Sequence, residues 1–142
     1  MGVNYTLSTK PLLDKIDVKP VHQGSCHCGA VKFTVKLPDG LVDPRRCNCS
    51  MCRRRGAIVA SVPLADLKID QGEASLGTYQ FNTKTAKHHF CLHCGIYTHH
   101  QRRSDPTLYA INIGCLEGVD PFVLAKVPVY DGADHPSDRI DR

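Results

Sequence analysis

The sequence predicts a single, mainly β domain. Apolar and polar residues alternate in short runs, turn-forming residues separate these runs, and no long stretch shows the helical period. A length of 142 residues suits one domain of ordinary size, and 42% hydrophobic residues are enough for a core. We expect an N-terminal extension over residues 1–23, a folded domain over 24–135 and a polar tail over 136–142.

The first predicted strand covers residues 31–37, where apolar side chains alternate with Lys and Thr. Pro38, Asp39 and Gly40 then predict a turn. A single helical turn is expected over 63–67. Pro128 would place the last strand at a sheet edge or a bulge. The other predicted strands, all short and rich in β-branched or aromatic residues, cover 57–62, 76–81, 96–101, 108–113 and 122–130.

The composition argues against a membrane protein or an exported one. No stretch approaches the roughly 18 apolar residues of a membrane span. The first 20 residues lack the apolar central run of a signal peptide. We therefore expect a cytoplasmic protein without a membrane partner. The start of the chain, residues 1–6, does match the loose myristoylation pattern, which is common by chance.

The net charge of +4 is mild, but the cations are clustered. Such clusters are typical of a solvated surface, a site for small anions or a nucleic-acid interface. Tryptophan is absent and aromatic residues make up only 6%, which disfavours stacking on single-stranded bases, so nucleic acid is not the expected partner. The first basic stretch contains Arg45, Arg46, Arg53, Arg54 and Arg55, and the second contains Lys84, Lys87, Arg102 and Arg103.

Eight cysteines are the most informative residues of the chain. A disulfide framework is the alternative, but it belongs to exported domains with scattered cysteines. Here seven of them fall into close groups, and Cys115 stands alone. In a reducing compartment, closely spaced thiols indicate metal ligands. The groups are Cys26 with Cys28, Cys47 with Cys49 and Cys52, and Cys91 with Cys94.

Two of these groups are pairs, each followed directly by a glycine. Glycine tolerates the left-handed backbone of a tight metal-binding turn. The two pairs together supply the four sulfurs of a tetrahedral structural zinc site: Cys26, Cys28, Cys91 and Cys94. His27 and His93 are alternative ligands, disfavoured because each lies between the thiols of a pair.

The third group provides three thiolates within six residues: Cys47, Cys49 and Cys52. A zinc ion with three protein ligands keeps one position for water or substrate, as in catalytic sites. The alternative adds Cys115 or a histidine as a fourth ligand and makes a second structural site. The arginines on both sides of this group suit an incoming anionic substrate, and they also suit a closed four-sulfur site.

The order of these motifs resembles the glutathione-dependent formaldehyde-activating enzyme family, which includes centromere protein V. In length, the chain looks closer to the short members of that family than to the longer ones. The resemblance rests on C-x-C-G at Cys26, C-x-C-S-x-C at Cys47 and H-x-F-C-x-x-C-G at His88. It extends to residues 79–83, 85–88 and 112–120. It implies a β-tent-type fold of small antiparallel sheets with two zinc ions per chain. The structural ion would be held by Cys26, Cys28, Cys91 and Cys94, and the catalytic ion by Cys47, Cys49 and Cys52, with Cys115 not a ligand.

The activity that the resemblance implies is that of a carbon–sulfur lyase. It would act on adducts of glutathione and formaldehyde such as S-hydroxymethylglutathione. Arginines near the catalytic zinc would pair with the carboxylates of glutathione, and His88 and His89 are candidate proton carriers. The alternative hypothesis is a zinc-stabilised module that binds nucleic acid or protein without catalysis.

Overall fold

In the computed structural model, residues 16–124 and 126–133 are described; most of the predicted N-terminal extension, with its acylation pattern, and the predicted polar tail lie outside them. The predicted mainly β class is confirmed. Ten short strands and one α-helix are present in the described residues. The strands are β1 (Val21–Ser25), β2 (Lys32–Lys36), β3 (Arg46–Cys47), β4 (Val59–Pro63), β5 (Leu67–Gln71), β6 (Leu76–Tyr79), β7 (Lys87–Cys91), β8 (Tyr97–Gln101), β9 (Leu108–Asn112) and β10 (Val129–Tyr130), and the helix is α1 (Ser50–Arg55).

The strands form three small sheets. One is antiparallel with the order β1-β2-β5, and a larger antiparallel one has the order β4-β9-β8-β7-β6. Strands β3 and β10 form a two-residue parallel pair. The main core joins the first sheet to the β4–β9 side of the larger one, because Phe33 and Val35 pack in the same buried cluster as Ala60, Val62 and Ile111.

Five of the six predicted strands are confirmed, with ends shifted by one or two residues. These are β2, β4, β6, β8 and β9, and the predicted turn at 63–67 is a 3-10 helix over Leu64–Asp66. Strands β1, β3, β5 and β7 were not predicted. In β5 only Leu67 and Ile69 alternate with polar residues, which is too short a pattern to identify a strand.

The predicted last strand over 122–130 is wrong. A 3-10 helix occupies Pro121–Leu124, and only Val129–Tyr130 pairs as a strand. Proline lacks a backbone donor, so Pro121 and Pro128 cannot serve as ordinary members of a ladder. The Pro128 carbonyl does accept a hydrogen bond from the Arg46 amide (2.9 Å), which begins the short pairing with β3.

Helix α1 was also missed, because six residues carry no apolar face to create a periodic signal. The Cys49 thiol caps its first turn by accepting a hydrogen bond from the Cys52 amide (3.2 Å). Gly56 ends the helix in the left-handed region, with φ of 71°. The helix is therefore capped at its start by a member of the predicted second metal group, Cys49. No helix in the described part of the chain is long and apolar enough to span a bilayer.

Candidate metal centres and active site

The first cysteine cluster joins parts of the chain that are far apart in sequence. Cys26 and Cys28 follow β1, Cys91 is the last residue of β7, and Cys94 lies in the turn before β8. Their four Sγ atoms all lie within 4.8 Å of one another. The structure thus brings together the four thiols that the sequence grouped. A metal ion among them would connect the three-stranded sheet to the five-stranded one.

The geometry of this cluster fits a tetrahedral zinc ion. The Sγ of Cys28 lies 3.7 Å from the Sγ of Cys26 and 3.7 Å from that of Cys91. Four sulfurs placed ~2.3 Å from a central zinc would be about 3.8 Å apart. The amides of Val31 and His93 donate hydrogen bonds to the sulfurs of Cys26 and Cys91, each at 3.3 Å.

The glycines behind the two pairs adopt the expected left-handed backbone. The φ angles of Gly29 and Gly95 are 83° and 76°. The alternative histidine ligands are not part of the cluster. His27 is exposed, and the Nε2 atom of His93 lies 3.2 Å from the hydroxyl of Ser75.

The second cysteine cluster is built at the start of α1. Cys47 ends β3, Cys49 caps the helix and Cys52 lies in its first turn, and the three Sγ atoms lie within 4.8 Å of one another. Hydrogen bonds from the Cys47 and Cys52 thiols hold the pKa of Cys49 well below its usual value. Hydrogen bonds from the Cys52 thiol to Cys47 and Cys49, in which Cys52 is the donor, raise the pKa of Cys52. The cluster therefore favours a thiolate, the form that binds metals.

A distant segment packs against this second cluster. Gly132 is buried, and a Cβ atom at this position would lie 2.3 Å from the Sγ of Cys47 and 3.0 Å from the Cβ of Cys49. The neighbouring Ala133 amide donates to the side chain of Asn48 (3.0 Å). Only glycine allows this approach. The sequence does not predict this approach, because the Asp131-Gly132 pair indicates a turn and nothing more.

Cys115 lies outside the second cluster. It is buried in the main core, and its thiol donates to the Tyr97 carbonyl at 3.5 Å. Burial raises the pKa of this thiol to about 12, which disfavours the thiolate that a metal requires. Among the described residues, no other thiol, imidazole or carboxylate joins Cys47, Cys49 and Cys52. These three residues therefore leave one tetrahedral position without a described protein ligand.

A cavity opens beside the second cluster and is strongly basic. The Arg45 and Arg102 guanidinium groups both donate to the hydroxyl of Ser61, at 3.0 and 3.1 Å. Burial, followed by the charge of Arg102, lowers the pKa of Arg45, as expected where positive charges crowd together. Such a cavity favours an anionic ligand. Its lining includes the three thiols and Arg45, Arg55, Arg102 and Arg103.

The two predicted basic stretches therefore meet at this cavity, although not all their members reach it. Arg53 borders an adjoining groove, and Arg54 is exposed and donates to the Ser50 carbonyl (2.8 Å). Arg46 does not line the cavity. The two stretches come together because β4 pairs with β9 and β9 pairs with β8. The sequence pattern does not specify these pairings.

Arg55 occupies the centre of the site. Its guanidinium lies 3.6 Å from the centre of the Tyr97 ring, and its Nη2 donates to the Cys52 sulfur at 3.4 Å. The same nitrogen lies 3.1 Å from the Nδ1 atom of His88, which is buried and lines the cavity. Burial and the charge of Arg55 lower the pKa of His88 to about 4, so its imidazole is neutral at neutral pH.

The other candidate proton carrier lies away from the site. His89 follows His88 in β7, so its side chain points to the opposite face of the sheet. The centroids of the His89 and His99 rings are 4.7 Å apart, and the Nδ1 atom of His89 lies 3.0 Å from the Thr78 hydroxyl. His89 does not line the cavity. His89 therefore belongs to the packing of that face.

Fold and site together define a class of small β protein with one four-thiol and one three-thiol cluster, each able to hold a metal ion, and with a basic cavity at the second. Residues 21–128 match the family described as "Glutathione-dependent formaldehyde-activating enzyme". The chain belongs to this family.

Two relatives illustrate the match. A Halomonas elongata protein, provisionally named a glutathione-dependent formaldehyde-activating enzyme, is 35% identical over 80 residues, which are 51% of this chain and 50% of that protein. The aligned region thus spans about half the length of this curated relative. A crystal structure of a Rhodobacter sphaeroides protein is 57% identical, with a TM-score of 0.73, and the match covers 75% of this chain and 98% of that one.

Proposed function

We propose that this protein is a cytoplasmic, zinc-dependent carbon–sulfur lyase that forms and cleaves the bond between a small anionic thiol, such as glutathione, and formaldehyde. The observation that carries the proposal is the three-thiol cluster facing a basic cavity, with no fourth ligand among the described residues. Membership of the family supports the substrate class. Both cysteine clusters would hold zinc, giving two ions per chain.

The protein's own residues would bind and orient the substrates. Cys47, Cys49 and Cys52 would hold the catalytic zinc, and Cys26, Cys28, Cys91 and Cys94 the structural one. When bound, zinc supplies Lewis acidity and stabilises thiolates at neutral pH. The cavity arginines attract the carboxylates of the thiol substrate and counter the negative charge of the cysteine thiolates.

The reaction is an addition to a carbonyl group. The thiolate sulfur attacks the formaldehyde carbon, a C–S bond forms, and the carbonyl π electrons move to the oxygen. That oxygen then takes a proton from water to give the S-hydroxymethyl product. Cleavage runs the same steps backwards. The cavity arginines stabilise the anionic thiol that such a reaction requires.

The test is a rate measurement, because the adduct also forms without a catalyst. With glutathione and formaldehyde, the unaltered protein should accelerate exchange between free and adduct forms, measured by NMR exchange spectroscopy. Cys49→Ser should lose this acceleration and one of two zinc ions by elemental analysis, since a hydroxyl replaces the thiolate ligand. Cys115→Ala, which changes a core thiol, should retain both.

Exchange no faster than in buffer would contradict the proposal. If the protein were inactive but bound nucleic acid with an affinity that falls steeply with salt, the binding-module alternative would replace it.

A further inference from the structure

The contact between Arg55 and His88 determines where the imidazole proton lies. A guanidinium has only N–H donors and stays charged in proteins. At 3.1 Å from Nη2 of Arg55, the Nδ1 atom of His88 must therefore accept. The single proton of the neutral ring is then on Nε2. A doubly protonated ring would direct an N–H at another N–H, which the contact does not allow.

The Nε2 atom of His88 is buried and has no hydrogen-bond partner among the described residues. A buried donor without a partner loses its hydration with no compensation. The His88 ring also has little freedom to turn, because its centroid lies 4.8 Å from that of the His100 ring and 5.6 Å from that of the Phe81 ring. His88, His100 and Phe81 all line the cavity beside the three thiols.

The ring that carries this donor is linked to the second cluster through its other nitrogen, Nδ1. One nitrogen of Arg55 contacts both the Cys52 sulfur and the His88 ring, so imidazole and thiol are separated by a single guanidinium nitrogen. The stacking of Arg55 on Tyr97 fixes that nitrogen in place. The His88 ring and the Cys52 sulfur are thereby held on one guanidinium group.

We infer that His88 is a fixed hydrogen-bond donor to the carbonyl oxygen of the substrate, and that Arg55 is the positioning residue that sets its tautomer. The inference rests on the proposed function for the identity of the substrate. As the C–S bond forms and negative charge develops on the oxygen, Nε2–H donates a hydrogen bond and keeps its proton. The proton that completes the hydroxyl comes from water. In this role His88 keeps its proton throughout, so it is not a proton carrier.

The tautomer can be measured without any substrate. In long-range ¹H–¹⁵N NMR spectra of the zinc-loaded protein near pH 7, His88 should show a protonated Nε2 and an unprotonated Nδ1. Arg55→Met keeps an apolar stem against Tyr97 but removes the donors, and a mixture of tautomers should then appear. A ring protonated on Nδ1 in the unaltered protein, or an Arg55→Met spectrum identical to it, would overturn the inference.

The donor role is tested by turnover. His88→Phe keeps a ring against Phe81 and His100 but removes the N–H, and kcat should fall about 100-fold, with KM for the thiol little changed. His89→Phe is the matched control on the opposite face, and it should retain the parent kcat. An unaltered kcat in His88→Phe would overturn this inference alone. If the parent protein showed no turnover, the proposed function and the donor role would both be refuted, while the tautomer measurement would still report on Arg55.

Discussion

Cys91→Ser is expected to leave mostly unfolded protein. Cys91 is fully buried, and its cluster joins the end of β7 to the loop after β1. Binding of a structural zinc contributes on the order of 10 kcal/mol or more, which is comparable with the ~5–15 kcal/mol net stability of a domain. Serine is a poor zinc ligand and would place a hydroxyl in a buried site. The measurement is a ¹H–¹⁵N NMR spectrum, in which the dispersed amide signals of the folded protein should be lost. Loss of soluble protein would be the equivalent result.

Two variants serve as controls for Cys91→Ser. Leu92→Ser changes the next residue, which is 59% exposed, and should change the unfolding free energy by at most about 0.5 kcal/mol. Cys52→Ser should stay folded, because the second cluster spans only residues 47–52. A cooperatively folded Cys91→Ser protein with the parent melting temperature would show that the first cluster does not stabilise the fold. Unfolding of Cys52→Ser as well would make the second cluster structural.

Gly132→Ala is expected to damage the second cluster while leaving the fold intact. The added methyl group would meet the Cys47 sulfur at 2.3 Å, so either the thiol or the segment around Gly132 must move. We expect the zinc content to fall from two ions toward one. Thiol-dependent turnover should fall by about 100-fold, a typical effect of displacing a catalytic group by ~1 Å.

The matched control for Gly132→Ala is Ala133→Ser. It changes the next, exposed residue and keeps the backbone amide that donates to Asn48. This variant should bind two zinc ions and turn over like the parent. Parent-like zinc content and turnover in Gly132→Ala would show that the close approach of residue 132 has no role in the site.

The sequence was most informative where the signal was local. The spacing within C-x-C-G and C-x-x-C-G predicted which thiols meet, and the left-handed glycines behind them are confirmed. Alternation predicted β2 because its side chains face a core on one side only. Strand β7 gave no such pattern, because His88 is buried while Phe90 is only partly buried.

The parts that could not be predicted depend on contacts between distant residues. The antiparallel register of β7 and β8 places His88 opposite His100, and no local pattern encodes that pairing. The same holds for Gly132 beside Cys47, which lies 85 residues earlier in the chain. The sequence places Arg102 in a separate basic stretch, and only the sheet order brings it beside Arg45.

The central claim is that the second zinc site keeps one position for a substrate thiol. Cobalt replaces zinc and reports its ligands through its visible spectrum. When glutathione is added to the cobalt-loaded protein, its sulfur should displace water and the sulfur-to-metal charge-transfer band should grow. Cys115→Ala should respond in the same way, because Cys115 lies in the core. The contradicting result is a parent spectrum that glutathione does not change, together with a Cys115→Ala spectrum that it does change. That result would make Cys115 the fourth ligand of a closed site.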